Sequence, residues 1–328
     1  MSVVSVLVLG DLCVDTIVTD RLPVSWRQAA DSGEVVFRVP LREQVGGSAF
    51  HFARQAAAAG FRPIIVGSVG TDLAGDKVVS TLADEAIPSW ILRCNPAPTA
   101  QSIMAYDTHG ARMMITSQVS ANDELTADFI QVSLPGLPPP SVVWLPGHCL
   151  RDRASVRWTA VAEALAYSRH AGARVVLDLV PHDFYRLFPT INDITSAIGP
   201  VDGISAELAT LRRWFHPDCP RLPLDKEVLA ATVAEALDVV PFVMARYHDG
   251  TNYWQLAATR AGMRSAETRA VPTSAKLAGY GDYLACLALR CYLDALPGRA
   301  GRSADDHPQV PGSRAAGLGA SAEQGRRL

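Results

Sequence analysis

The segment Leu277-Ala278-Gly279-Tyr280-Gly281-Asp282-Tyr283-Leu284 sets a carboxylate directly after two spaced glycines, ahead of a run rich in Ala and Leu. Glycines let backbone approach a ligand closely, and the unpaired N–H groups of a helix start favour an anion. An aspartate beside such a hole can take a proton from an attacking hydroxyl while the N–H groups stabilise a transferring phosphoryl group. The same residues also suit a plain turn in which Asp282 caps a helix. On its own, this segment leaves both readings open.

Two further segments carry potential ligands. Val45-Gly46-Gly47-Ser48-Ala49-Phe50-His51 places two glycines immediately before a helical run. Their backbone could press against a polyhydroxy ligand, or simply let a helix and a strand pack tightly. His51 reads either as a hydroxyl contact or as a satisfied structural histidine. Gly10-Asp11-Leu12-Cys13-Val14-Asp15 sets carboxylates at the C-terminal end of the first apolar run. Open α/β sheets bind ligands at that edge, and a carboxylate accepts two sugar hydroxyls readily. Asp15 is the better ligand candidate, whereas Asp11 reads as a solvated turn.

The elements that must position these groups follow from hydrophobic period and from turn residues. Strands are expected at 3–9, 35–39, 62–67, 142–145, 174–178, 201–205 and 239–245. Helices are expected at 49–59, 75–86, 155–170, 207–215, 226–237 and 279–296. Segments 101–106 and 112–116 flank Asp107-Thr108-His109-Gly110 as a hairpin. The strand–helix alternation predicts an α/β fold: three layers, a mainly parallel sheet with helices on both faces. A small β lid is expected from segments near 16–41 and 99–117, giving one domain over 1–298. Residues 299–328 turn to Gly, Pro, Ala, Ser and Arg and are expected to be a disordered tail, weakly helical at 320–324.

Composition narrows the function classes. A hydrophobic share of 48% and a charged share of 19% over 328 residues suit a sizeable buried core. The net charge of −3, from 30 basic and 33 acidic residues, offers no basic excess for nucleic acid or an anionic membrane. Six cysteines are scattered without a CxxC pair, against structural zinc or a disulfide framework. The N-terminal apolar run lacks a basic flank and meets Asp11 early, so it reads as a buried strand and the cytoplasm as the expected compartment. Neither G-x-G-x-x-G after the first strand nor the Walker A pattern is present, which disfavours a dinucleotide-dependent oxidoreductase. His148 and His182 lack metal-ligand spacing; His182 and Asp183 read as a polar loop pair or as cleft lining.

The order of these segments resembles the ribokinase-like PfkB family of carbohydrate and nucleoside kinases, from about residue 3 to 296. Its landmarks are Gly10–Asp15, Gly46-Gly47, Gly67-Ser68-Val69-Gly70-Thr71-Asp72 with Gly75-Asp76, and Pro98-Thr99. Ala121-Asn122, Leu145-Pro146-Gly147, Leu177-Asp178 and Gly279–Asp282 follow in the family's sequence order. The resemblance implies transfer of the γ-phosphate of ATP to a hydroxyl of a sugar, nucleoside or sugar-like substrate beneath the lid. It implies Asp282 as general base and the backbone of Gly279, Tyr280 and Gly281 as anion hole, with Gly250 near the nucleotide. Asp15, Gly46, Gly47 and His51 would contact the substrate, and Glu207 would order water around Mg2+. Lids of this kind can also supply a homodimer interface.

The chain departs from the family pattern at several positions. Lys276 stands where an acid is usual, Tyr280 where alanine is usual, His51 where asparagine is common, and Ile204 at the asparagine of N-x-x-E. Tyr247 replaces a strand-end glycine, and the tail stands where a helix normally covers adenine. Ile204, Tyr247 and the missing terminal helix motivate an alternative: a non-catalytic or regulatory sugar-binding protein derived from the same family.

Overall fold

The computed structural model describes residues 3–34, 36, 40–109, 112–117, 119–180, 184–216, 225–248, 253–268 and 280–294. Strands in chain order are β1 (Ser5–Gly10), β2 (Cys13–Arg21), β3 (Leu41–Gly46), β4 (Arg62–Gly70), β5 (Ser89–Cys94), β6 (Ala100–Tyr106) and β7 (Arg112–Thr116). They continue as β8 (Val142–Pro146), β9 (Arg174–Asp178), β10 (Gly203–Glu207), β11 (Phe242–His248), β12 (Tyr253–Thr259) and β13 (Gly262–Thr268). Helices are α1 (Trp26–Ser32), α2 (Ser48–Ala58), α3 (Leu73–Asp84), α4 (Ala127–Ser133) and α5 (Val156–His170). The later helices are α6 (Phe184–Leu187), α7 (Ile191–Ile198), α8 (Leu208–Phe215), α9 (Lys226–Leu237) and α10 (Tyr280–Asp294).

A nine-stranded sheet runs β13-β12-β11-β10-β9-β8-β1-β4-β5. It is parallel from β11 through β5, with β12 and β13 antiparallel at one edge. Strands buried on both faces need continuous apolar runs, and alternate residues serve two separate cores. Leu7, Leu9, Ile64, Val66, Val143 and Leu145 meet α4, α5, α7, α8 and α9 on one face. Val6, Val8, Ile65, Val142 and Trp144 meet α2, α3 and α10 on the other. The expected three-layer α/β architecture is thereby found. No described helix is long and apolar enough to cross a membrane.

A second sheet of four strands has the order β3-β2-β6-β7. Here β2 pairs parallel with β6, while β2–β3 and β6–β7 are antiparallel, the latter being the expected hairpin. Ile17, Met104 and Tyr106 form its small core. This sheet is consistent with the expected lid, although its strands begin at Cys13 and include β3 up to Gly46. The strand expected at 35–39 lies mostly outside the described residues, as does the tail.

Local differences from expectation have simple causes. Helix α3 starts two residues early because the Asp72 carboxylate accepts from Gly75 N at 2.8 Å and caps it. Strand β11 begins at Phe242 because α9 ends in a turn in which the N–H groups of Val239 and Val240 donate to the Ala236 carbonyl. Strands β5, β12 and β13 were not anticipated; each lies at or near a sheet edge, where half-exposed strands mix polar and apolar residues.

Candidate active site

The tip of β1 is built around small residues. A side chain at Gly10 would overlap the Ala49 side chain at the start of α2. Asp11 accepts from Ser48 Oγ at 2.5 Å and from Ser48 N at 3.4 Å, so it fastens the first turn of α2 and is not the solvated turn expected. Asn122 grips the next residue on both sides: Leu12 N donates to its Oδ1 at 3.1 Å, and its Nδ2 donates to Leu12 O at 3.0 Å. The path from β1 into the small sheet is therefore held by side chains from two distant segments.

Asp15 is 6% exposed on β2. Parallel pairing places it opposite Ser102 on β6, whose Oγ donates to Asp15 Oδ1 at 2.5 Å. Cys13 Sγ donates to the same oxygen at 3.2 Å, and His51 Nε2 lies 3.8 Å from Oδ2. Burial alone would raise the Asp15 carboxyl, but the neighbouring His51 ring and the hydrogen bonds from Ser102 and Cys13 outweigh it and hold the group below its ordinary value. A side chain at Gly46 would overlap this carboxylate, and Gly47, at φ 94°, presses against the Asp11 carbonyl. Both glycines thus serve close packing of the site's own groups. His51 is buried, and its Nδ1 has no hydrogen-bond partner.

The far side of the cleft lies at the C-terminal ends of β9, β10 and β11. Strand alternation and register put Asp178, Ser205, Glu207, Arg246 and, on β12, Gln255 on the face that carries α10. Arg246 Nη1 donates to Ser205 Oγ at 3.0 Å, and its Nη2 lies 3.9 Å from Asp178 Oδ1. Burial pushes the Asp178 carboxyl up to about 7; Arg246 and a Ser205 hydrogen bond oppose this, while Asp282 and Glu207 add to it. Asp282 sits half-buried in the first turn of α10. Burial raises its carboxyl, the charges of His51 and Arg246 lower it, and Asp11 raises it. Asp282 thus lies within electrostatic reach of both halves of the cleft.

Among the anticipated residues, Asp15, Gly46, Gly47 and His51 lie together, Asp282 is in electrostatic reach of His51, and Tyr280 and Gly281 open α10. Gly279, Gly250, Lys276, His182 and Asp183 lie outside the described residues. Ile204 and Tyr247 point to the opposite face: Ile204 is fully buried in the core under α8 and α9, and Tyr247 packs beside Trp254. Neither side chain enters the cleft. Sequence reasoning missed Arg246, Ser205, Ser102 and the placement of Asp178; only strand pairing brings them in.

The donor set for magnesium is sparse. Among the described residues no group of three or more His, Cys, Asp or Glu side chains is placed to hold a metal ion. Glu207 is exposed at the end of β10, within electrostatic reach of Asp178. Such a set would suit an ion carried by phosphates and water, which a lone exposed Glu207 would meet through its water shell.

No family model matches the chain. The bifunctional protein HldE of Nitrobacter winogradskyi is 27% identical over 248 residues, covering 72% of this chain and 49% of the relative. The chain spans half or less of the length of the curated relatives it matches first. Adenosine kinase from Sinorhizobium meliloti superposes with a TM-score of 0.69 at 18% identity, covering 92% of this chain and 89% of that one. Fructokinase from Xylella fastidiosa, also solved with bound ATP, gives 0.63 at 17% identity, covering 89% and 83%. The chain has the ribokinase-like fold, and the resemblance seen in its motif order holds at that level.

Proposed function

We propose that the chain is an ATP-dependent phosphotransferase whose acceptor is a hydroxyl of a sugar, nucleoside or sugar-like small molecule. The observation that carries this reading is the position of Asp282, in the first turn of α10 and in electrostatic reach of Asp11 beyond the tip of β1 and of His51 on α2. Asp282 takes the proton of the attacking hydroxyl. Backbone N–H groups of Gly279, Tyr280 and Gly281 stabilise charge on the transferring group, with Gly250 against the nucleotide. Asp15 and His51 hold acceptor hydroxyls beside the backbone of Gly46 and Gly47. Glu207 would hold the water shell of a magnesium ion brought by the nucleotide, which when bound would neutralise phosphate charge. The small sheet closes as a lid over the acceptor and excludes water, and it offers a homodimer surface.

The adenosine kinase and fructokinase neighbours support this reading. The rival reading, a sugar-binding protein without catalysis, draws on Ile204, Tyr247 and the tail in place of a terminal helix, the last of which lies outside the described residues. The Ile204 and Tyr247 side chains face the core away from α10, so neither is a change on the face that carries Asp282. A mass-spectrometric screen of a metabolite panel with ATP and magnesium tests the proposal. A phosphorylated product is expected. Absence of product, with calorimetry showing sugar binding but no ATP or ADP binding, would replace it by the rival.

A further inference from the structure

Arg246 belongs to no motif discussed above, yet it occupies a central place on the α10 face. It ends β11, its side chain is 12% exposed, and Ser205 Oγ braces it at 3.0 Å. Directly across the antiparallel pair stands Gln255, whose Nε2 donates to Leu284 O of α10 at 2.6 Å. Residues opposite one another on such a pair share a face. Gln255 therefore pins the first turns of α10 beside the strand position from which Arg246 projects.

We propose that Arg246 is a positioning residue for Asp282: a braced, permanent cation that keeps the Asp282 carboxylate ionised and turned into the cleft. The inference rests on the reading of Asp282 as the base. A guanidinium retains its charge at any working pH and presents a rigid fork of donors. The alternative, that Arg246 serves only to neutralise Asp178, fits poorly. Their separation is 3.9 Å, and Asp178 Oδ1 is left with no hydrogen bond. Asp282 has the greater need. Asp11 faces it from the tip of β1 and Asp178 from β9, both acidic; Glu207 on β10 acts on Asp178, and Cys286 lies on its own helix. His51 from α2 and Arg246 from β11 are the opposing groups. Of these two, only Arg246 carries a charge independent of pH.

The test is a carboxyl-carbon NMR titration of the full chain labelled at aspartate Cγ, with Asp282→Asn identifying the signal by its loss. Arg246→Gln is expected to raise the Asp282 midpoint by about one pH unit, the lower end of what a neighbouring cation contributes. Arg246→Lys should restore most of that shift. An unchanged midpoint in Arg246→Gln, or equal midpoints in the Gln and Lys variants, overturns the inference. If Arg246→Gln does not fold by circular dichroism, Ser205→Ala loosens the brace and keeps the charge. A rise of a few tenths of a unit is then expected, and no rise overturns the inference. The titration needs neither acceptor nor nucleotide. An Asp282→Asn variant that still transferred phosphate would sink the base assignment without touching this result.

Discussion

The Asp15 carboxylate fills the space that a side chain at Gly46 would need. Gly46→Ala must therefore displace either the β3 backbone or the carboxylate and its bonds to Ser102 and Cys13. We expect a loss of about 1–3 kcal/mol in urea unfolding, typical of overpacking. Acceptor affinity should fall with it. In an Asp15→Ser background the same substitution should cost clearly less, because the clash is gone. Additive costs would show that the two residues do not compete for space.

Asp282→Asn keeps the shape and removes the basic oxygen. Turnover should drop by about 10²–10⁴-fold, the range of general-base contributions. The circular dichroism spectrum and ATP affinity should stay close to the parent. Turnover within a few-fold of the parent would reject the role.

Asp178 should leave a signature in stability against pH. Its carboxyl sits at about 7 in the folded chain, against about 3.9 when unfolded. Between those values the folded chain holds a proton that the unfolded chain has released. The stabilising contribution is full below about pH 4 and is lost as pH rises through about 7. A shift of about three units is about 4 kcal/mol, so Asp178→Asn, neutral throughout, should gain in melting temperature over the parent as pH rises, reaching about 10 °C at pH 8 and close to nothing at pH 4. Parallel melting curves across that range would contradict the burial argument.

Asn122 holds both backbone groups of Leu12 in a buried joint. Asn122→Ala leaves an N–H and a carbonyl without their partner and should cost about 1–3 kcal/mol in denaturant unfolding. Faster amide hydrogen exchange at the start of β2 should accompany it. Loss of stability without that local exchange would point to a general packing defect.

The central parallel strands were legible because burial on both faces demands unbroken apolar runs such as Ser5–Gly10 and Arg174–Asp178. Capping residues made α5 and α9 readable nearly to the residue: Ser155 accepts from Trp158 N and Asp225 from Val228 N. Edge strands β5, β12 and β13 were not, since half-exposed strands carry no clean pattern. At the site, Asp15 and Asp282 were visible through their glycine neighbours. Ser102 and Arg246 were hidden, because their place depends on strand register, which one sequence does not reveal. Face was hidden for the same reason: Ile204 and Tyr247 looked like damage to the cleft, yet alternation along β10 and β11 turns both into the core.

The two strands that leave the main sheet for the small one, β2 and β6, run parallel and side by side. Each departs through a fixed knot: Asn122 on Leu12 for one, and Asp72 on the backbone and hydroxyl of Thr99 for the other. Neighbouring tethers at a common end behave like the paired hinges of a door. Were the small sheet to swing, such tethers would favour one axis over sliding or twisting. Asp15 and Ser102 ride on the same leaf, one just beyond each knot, so any opening carries them together and their mutual geometry survives the stroke.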